Sequence, residues 1–418
     1  MRVVEMGEGA TSADIRALAP TPRDVEEDVR AIVEEVRRGG DAAVLRLTER
    51  FDHAQLAPEQ LRVDPAELDA AIGVLEPQVL RGLRTAIANV RTVVEAQLRE
   101  PVTVELPEGQ RIEVVELPVR RAGVCVPAGR APLPSSLVMG VVTAKTAGVE
   151  EIAVCAPPGP TGRAHPVILA ACTLCGVAEV YQMGGAQAIA ALAYGTQSVP
   201  AVDVIAGPGS PWVQEAKRQL AGGVGIDGIA GPSELVVVAD GAQDPEPIAL
   251  DLLAQGEHGD DGLLALVSPD RELLAGVRAA IERMAPERPS VADAPLALVR
   301  ARDARAAVRL AGELAPEHLQ LSGPEAEALA PTVRTAGCLF VGAAAATAFG
   351  DYVAGSNHVL PTGGAARFQS ALSAATFRRR MARVSLPDGA ARRLAPPGAA
   401  LARAEGFPVH AESMERRA

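Results

Sequence analysis

Aromatic residues are almost missing from this 418-residue chain, which holds one Trp, three Tyr and six Phe. A platform that stacks single-stranded nucleic acid, or a cofactor clasped in an aromatic cage, lacks its material. Positive charge is also short, with 40 Lys and Arg against 52 Asp and Glu and a net charge of −12. Such a surface repels phosphate backbones and anionic lipid, which argues against nucleic-acid and membrane partners. Cysteines are few: Cys125, Cys155, Cys172, Cys175 and Cys338 are an odd number set in apolar segments, as expected of free thiols in a reducing compartment. Cys172 and Cys175 keep the spacing of redox and zinc motifs, but no second pair completes four ligands, and they read as small core residues.

Residues 1–10 show no basic start leading into an apolar core and do not read as a signal peptide. The longest uncharged run, residues 180–202, is long enough to span a bilayer, yet Gln182, Gln187, Gln197 and Pro200 make it too polar and broken. A cytoplasmic protein is the expectation. What is present, 48% hydrophobic and 22% charged residues, suits two or three cooperating domains.

Residues 22–38 and 41–51 read as two helices parted by Gly39-Gly40. Helical patterning continues over 65–75, capped by Asp64, and over 78–100, where Leu80, Leu83, Ile87, Val90, Val93 and Val94 share a face. From Arg121 the texture changes. Short apolar runs at 123–127, 151–156, 179–181 and 202–205 alternate with helix-length segments, the rhythm of a parallel sheet whose every return needs a crossover. A second series places strands at 235–238, 263–267 and 296–299 and helices at 247–255, 271–284 and 303–314. The expected fold is α/β, with two Rossmann-like doubly wound parallel-sheet domains, a helical N-terminal segment and a C-terminal arm. The boundaries predicted are 1–20 for the N-terminal segment, 21–120 with 234–372 for one discontinuous domain, 121–233 for the other, and 373–418 for the arm.

Of six histidines, His258, His318, His358 and His410 stand in polar, motif-like surroundings. Two follow a carboxylate directly, in Glu257-His258 and Glu317-His318. Gln255 and His258, three apart at the end of a helical run, fall on one face at a spacing where two ligands can meet one ion. Asp351 adds an oxygen and His410 a nitrogen, and a nitrogen and oxygen set without thiolate suits zinc, manganese or cobalt. His318 has the chemistry to accept an alcohol proton, and Glu317 that of a water; the bland reading is a helix-to-strand corner with its polar groups in solvent. Gly207-Pro208-Gly209-Ser210 after a strand, and Gly184-Gly185-Ala186-Gln187 opening a helix, offer backbone N–H groups to an anion without forming a dinucleotide fingerprint. No Walker loop, zinc-protease helix or nucleophile elbow is present.

Read as strings, seven segments resemble the histidinol dehydrogenase family, in family order and over nearly the whole chain. They are residues 126–135, 184–195, Ile229-Ala-Gly-Pro-Ser-Glu234, Gln255-Gly-Glu-His-Gly259, Pro316-Glu-His-Leu319, 350–362 and Glu405-Gly-Phe-Pro-Val-His410. The resemblance implies NAD-dependent, zinc-requiring oxidation of L-histidinol to L-histidine through an enzyme-held aldehyde, the last step of histidine biosynthesis, in an intertwined homodimer. It makes 121–233 the NAD-binding domain and the C-terminal arm the dimerisation element. Carried over residue by residue, it implies one zinc per subunit on Gln255, His258, Asp351 and His410, the last reaching in from the partner. His318 becomes the base for the alcohol and Glu317 the activator of water. Ser233, His358 and Glu405 join His318 and the metal ligands in contacting substrate. Cys125, Gln187 and Ser210 occupy the family's NAD-contact positions. Two of these depart from it, Cys125 where a Tyr is usual and Ser210 where an Asn is usual. A paralogous NAD-linked dehydrogenase of another small hydroxyl compound, such as a sulfonated diol, is the alternative; a zinc hydrolase and a non-catalytic metal scaffold are the readings from other classes.

Overall fold

Fourteen strands form among the described residues: β1 (Arg2–Met6), β2 (Val102–Glu105), β3 (Arg111–Pro118), β4 (Arg121–Cys125), β5 (Glu151–Cys155), β6 (Val180–Tyr181), β7 (Val204–Ala206), β8 (Gly225–Ile226), β9 (Glu234–Ala239), β10 (Leu263–Ser268), β11 (Pro295–Arg300), β12 (His318–Ser322), β13 (Cys338–Val341) and β14 (Arg378–Ser385). The structure is a computed structural model that describes residues 1–418 except 22, 128–130, 160 and 242. The expected helix start at Pro22, and Ala128, Gly129 and Arg130 of the 126–135 segment, lie outside the described residues.

Two of the three sheets are wholly parallel. One runs β6-β5-β4-β7-β8 and the other β1-β11-β10-β9-β12-β13. Setting β1 aside, each follows the same winding, third-second-first on one side and fourth-fifth on the other, so the chain contains two Rossmann-like units. Strands β4, β9 and β10 are buried along their whole length, as strands covered by helices on both faces must be. That continuous burial is what the apolar runs in the sequence encode.

Three parts of the expected organisation change. Residues 1–20 are not a separate segment but part of the six-stranded sheet: β1 pairs in parallel with β11, and a single short helix, Ser12–Arg16, follows, burying Ile15. A five-residue edge strand with only partial burial carries too weak a hydrophobic signal to be read alone. Next, the pattern assigns 21–120 to the unit of 234–372, whereas the helices there cover the five-stranded sheet. Helix Glu26–Asp52, kinked at Gly40, packs on helix Gly185–Tyr194, and helix Pro77–Glu95 packs on helix Pro134–Thr146. Val29, Ile32, Val33, Val36, Val44 and Leu47 bury the first of these contacts, each worth roughly 1.5–3 kcal/mol on removal from water. Sequence order alone does not say which of two similar sheets an amphipathic helix will cover.

Finally, residues 373–418 are not only an arm. β14 joins β3 and β2 in an antiparallel sheet of order β14-β3-β2, where Arg380 meets Glu116 at 2.9 Å and Arg383 meets Glu113 at 3.0 Å across the strands. Beyond β14 come helices Asp388–Ala404 and Pro408–Glu415, which pack chiefly on one another around Ala399, Ala402 and Ala411.

Candidate active site

Helix Ala304–Leu314 ends at Ala315, which takes a left-handed φ of 47°, and β12 begins three residues later at His318. That turn brings Glu317 and His318 to the amino edge of the six-stranded sheet, beside Glu234, the first residue of β9. Neither side chain is in solvent: Glu317 is 7% and His318 3% exposed, which removes the bland reading of an open corner.

A chain of polar contacts runs through this edge. Gln255 Nε2 donates to Ser233 Oγ, Ser233 Oγ donates to Glu317 Oε2 at 2.5 Å, and the same oxygen accepts the Glu234 backbone N–H at 2.8 Å. His318 Nδ1 lies 3.1 Å from the Glu234 carbonyl and 3.5 Å from Glu317 Oε2, both acceptors, so the ring proton belongs on Nδ1. Nε2 faces Asp351 Oδ1 at 3.6 Å, so in the protonated ring a second N–H points at that carboxylate, and in the neutral ring Nε2 is the nitrogen free to take a proton. Asp351 in turn accepts His358 Nδ1 on its carbonyl at 2.8 Å, and His358 Nε2 is 3.3 Å from Ser136 Oγ. Asn357 donates to Met139 O and Thr143 Oγ1, so the segment carrying Asp351 and His358 is pinned to the helix that follows β4.

Charge follows the same chain. Burial opposes a charged imidazole at position 318, but Glu317 and Asp351 outweigh it and hold His318 well above the usual imidazole range. Burial likewise opposes ionisation of Asp351, and the His318 hydrogen bond and charge overcome it, leaving the carboxyl below its ordinary value with His358 and His258 adding to the pull. His358 is pushed down by burial.

Ser233, Gln255, Glu317, His318, Asp351 and His358 thus meet at one place, and His258 faces Asp351 closely enough to lower its carboxyl. His258 does so from the turn beyond helix Pro245–Gly256, not from a shared helical face, because the helix ends before it. Glu257 turns away to Ser290. Glu405, just past the first C-terminal helix, and His410, on the second, are exposed and make no hydrogen bond or ion pair with this cluster among the described residues. The donors fit a divalent ion: the Gln255 amide nitrogen is engaged by Ser233, which leaves its oxygen to face a cation, and Asp351 is ionised. Among the described residues no group of three His, Cys, Asp or Glu side chains in one chain can hold a metal, so such an ion needs the Gln255 oxygen and a donor from elsewhere.

The second feature is a cavity of about 650 Å³ at the carboxyl edge of the five-stranded sheet. Cys125, Gln187 and Ser210 all line it, with Asp52, Gly184, Gly185, Pro208, Gly209 and Trp212. This is the crevice beside the switch point between β4 and β7, where ligands of such sheets bind. Helices Gly185–Tyr194 and Pro211–Leu220 both start there, presenting backbone N–H groups and positive dipole ends that fit a pyrophosphate. A Cβ on Gly184 would lie 2.2 Å from Pro157 Cγ, so only glycine fits that wall. The segment after β4 links cavity and cluster: Pro127 lines one and Ser136 touches the other.

Glu234, at the end of one of the quoted strings, and Arg16, Lys217 and Asp227, outside all of them, complete the surroundings. Glu234 accepts Arg16 Nη1 at 2.7 Å, Gly363 N at 3.1 Å and Glu317 N at 3.3 Å, fastening three segments behind the cluster. Lys217 and Asp227, 1% and 4% exposed at their side chains, form a buried ion pair around the Gly207 peptide. Lys217 Nζ donates to Gly207 O at 3.1 Å and Gly207 N donates to Asp227 Oδ2 at 2.8 Å. Gly207 has a φ of 127°, and a Cβ there would lie 2.2 Å from Cys125 O. A lysine in an amphipathic helix is the only sequence signal of this clamp. Cys172 and Cys175 are free core residues whose thiols burial pushes up, Cys175 to about 12.

Two Rossmann-like units thus carry the two features, an open switch-point cavity in one and a buried carboxylate–imidazole–carboxylate chain in the other. The histidinol dehydrogenase family model matches residues 18–418. Histidinol dehydrogenase from Synechococcus sp. is 42% identical over 399 residues, 94% of this chain and 92% of that protein. That of Pseudomonas fluorescens is 42% identical over 400 residues, 94% and 90% of the two chains. The crystal structure of histidinol dehydrogenase from Elizabethkingia anophelis superposes with a TM-score of 0.93 at 30% identity, covering 100% of this chain and 98% of that one. The chain belongs to the histidinol dehydrogenase family.

Proposed function

We propose that this enzyme oxidises L-histidinol to L-histidine with NAD and zinc, the last step of histidine biosynthesis, as a cytoplasmic homodimer. The observation that carries this reading is the buried chain Gln255–Ser233–Glu317–His318–Asp351, with a base and a water-activating carboxylate side by side. In the first oxidation His318 takes the alcohol proton at Nε2 while the hydride leaves the carbinol carbon for NAD. The Nδ1 hydrogen, aimed at the Glu234 carbonyl, keeps the ring in place. In the second, Glu317 takes a proton from the water that attacks the aldehyde, and the hydrate so formed would give its hydride to a second NAD; Ser233 and the Glu234 N–H hold the Glu317 carboxylate steady. Gln255, His258 and Asp351 of one subunit and His410 of the other would hold zinc, which would supply a fixed positive charge to orient the amino alcohol beside His318 and offset the Asp351 carboxylate. Ser233, His358 and Glu405 contact substrate, and Cys125, Gln187 and Ser210 line the NAD site.

Exposed apolar side chains support the dimer. Leu401, Phe407 and Val409 on the C-terminal helices, and Phe349, Tyr352 and Phe368 around the Asp351 segment, are all more than half exposed in the single chain. The deciding experiment is zinc-replete turnover of L-histidinol with NADH counted against histidine, where two per histidine is expected. Product formed without NADH points to a hydrolase, and turnover of an anionic diol in place of histidinol points to the paralogous dehydrogenase; either result overturns the proposal.

A further inference from the structure

A Rossmann-like unit that binds NAD usually places an acidic residue at the end of its second strand to hold the adenosine-ribose hydroxyls. The second strand here, β5, ends in Cys155-Ala156-Pro157-Pro158 and offers no carboxylate. Another element supplies one. Helix Glu26–Asp52 crosses the five-stranded sheet and terminates at Asp52, which lines the cavity beside the start of helix Gly185–Tyr194. Gln187 Nε2 lies 3.5 Å from Asp52 Oδ2, and this is the side-chain hydrogen bond Asp52 makes among the described residues. Gln187 itself folds back over Gly185 at the helix start.

Asp28 and Glu35 also line the cavity, but Asp28 is exposed and Glu35 is paired with Arg46 at 2.9 Å. Asp52 differs from both, because desolvation raises its carboxyl to about 6 against the weaker opposing pull of His53, and among the described residues no Lys or Arg pairs with it. An unpaired, partly desolvated carboxylate in a cavity is costly to keep unless a ligand supplies donors. Arg23 and Arg50 line the same cavity, stacked on Trp212 and Phe51, so net charge does not distinguish the possible cofactors and position must.

We propose that Asp52 is the ribose-binding, cofactor-selecting carboxylate of this cavity: it accepts the adenosine-ribose hydroxyls of NAD and rejects the 2′-phosphate of NADP by like-charge repulsion. The proposal rests on the reading of the cavity as the NAD site. It replaces the missing acid of β5 with one delivered by a helix from outside the winding.

The test is equilibrium binding, read from the fluorescence of Trp212, the single tryptophan, which lines the cavity. Wild-type protein and the Asp52→Asn and Ser210→Glu variants are titrated at pH 8 with NAD, NADP, AMP and adenosine 2′-phosphate. Wild type is expected to prefer NAD and AMP. Asp52→Asn is expected to weaken NAD several-fold and to shift the NADP-to-NAD preference by about a hundredfold toward NADP, the size of a removed close like-charge contact. Ser210→Glu puts a negative charge at a helix start facing the pyrophosphate and weakens both dinucleotides equally. If Ser210→Glu weakens both while Asp52→Asn leaves the preference unchanged, or if wild type already prefers NADP, the role of Asp52 is overturned. If Ser210→Glu changes neither, the cavity is not the cofactor site and the underlying reading falls first.

Discussion

The carboxyl edge of the five-stranded sheet opens onto a cavity of about 650 Å³, while at the matching edge of the six-stranded sheet the protein's own side chains, among the described residues, take up backbone groups of the turns. There Asp240, 4% exposed at the end of β9, accepts the backbone N–H groups of Glu325 and Ala326, and Gln243 donates to the carbonyls of Asp240 and Ser322. A helix start that would otherwise face a ligand is capped by the protein itself. The chemistry-bearing groups of this unit gather at the opposite, amino edge, where Glu234 and His318 begin their strands. One winding, used twice, therefore leaves an open crevice at the carboxyl edge of one copy and a self-capped carboxyl edge in the other. Which edge is functional is set by a few polar side chains, not by the topology.

That contrast can be broken by substitution. His318→Asn, at the amino edge, is expected to cut histidinol turnover by about 10²–10⁴-fold, the usual worth of a general base; steady-state kcat checks it, with a urea melt showing that the variant assayed is folded. Lys217→Met leaves Asp227 buried without its cation behind the open crevice and is expected to cost about 3–5 kcal/mol of stability, read from denaturant midpoints. At the plugged edge, Asp240→Ala should cost about 1–2 kcal/mol, the range of a lost cap, while kcat stays at the wild-type value. A fall in kcat there would show that the second crevice is not inert.

Asp52 sharpens the comparison through pH. Its folded carboxyl keeps a proton up to about pH 6, against 3.8 for the ordinary group, so protonation favours the folded state. That contribution is complete below about pH 4 and is lost as pH rises through about 6. Asp52→Asn should therefore flatten the decline in thermal stability between pH 4 and 6, and a parallel decline in the variant would contradict the desolvation account. The smallest effect expected is that of Cys125→Tyr: an aromatic wall at the cavity should tighten NAD by about 0.5–1.5 kcal/mol, measured as a Kd.

Parallel strands covered on both faces are continuous apolar runs, so β4, β5, β9, β10 and β11 could be located from sequence within a residue or two. β14 could not: Arg378-Arg379-Arg380 reads as solvated charge until Glu113 and Glu116 on β3 give it partners. β1 escaped for the related reason that an edge strand buries little. The cluster residues Ser233, Gln255, Glu317, His318, Asp351 and His358 were legible as motif strings, because short polar segments inside apolar surroundings stand out. Glu234 stood at the end of one such string with no role attached, and Arg16, Lys217 and Asp227 lay outside them all, since the Arg16–Glu234 pair joins positions 218 apart and the Lys217–Asp227 pair forms only when its helix is folded against the Gly207 turn.

Local pattern, composition and motif strings determined the α/β class, the doubled winding and most of the polar residues, because hydrophobic periodicity and residue chemistry are properties of neighbours along a chain. Only the tertiary structure decided that helix Glu26–Asp52 covers the five-stranded sheet and delivers Asp52 to its cavity, that β12 buries His318 between Glu317 and Asp351, and that one switch point is open and the other sealed. Those outcomes depend on which surfaces exclude water from each other and which charges lose solvent together, and such distances exist only once the chain has closed.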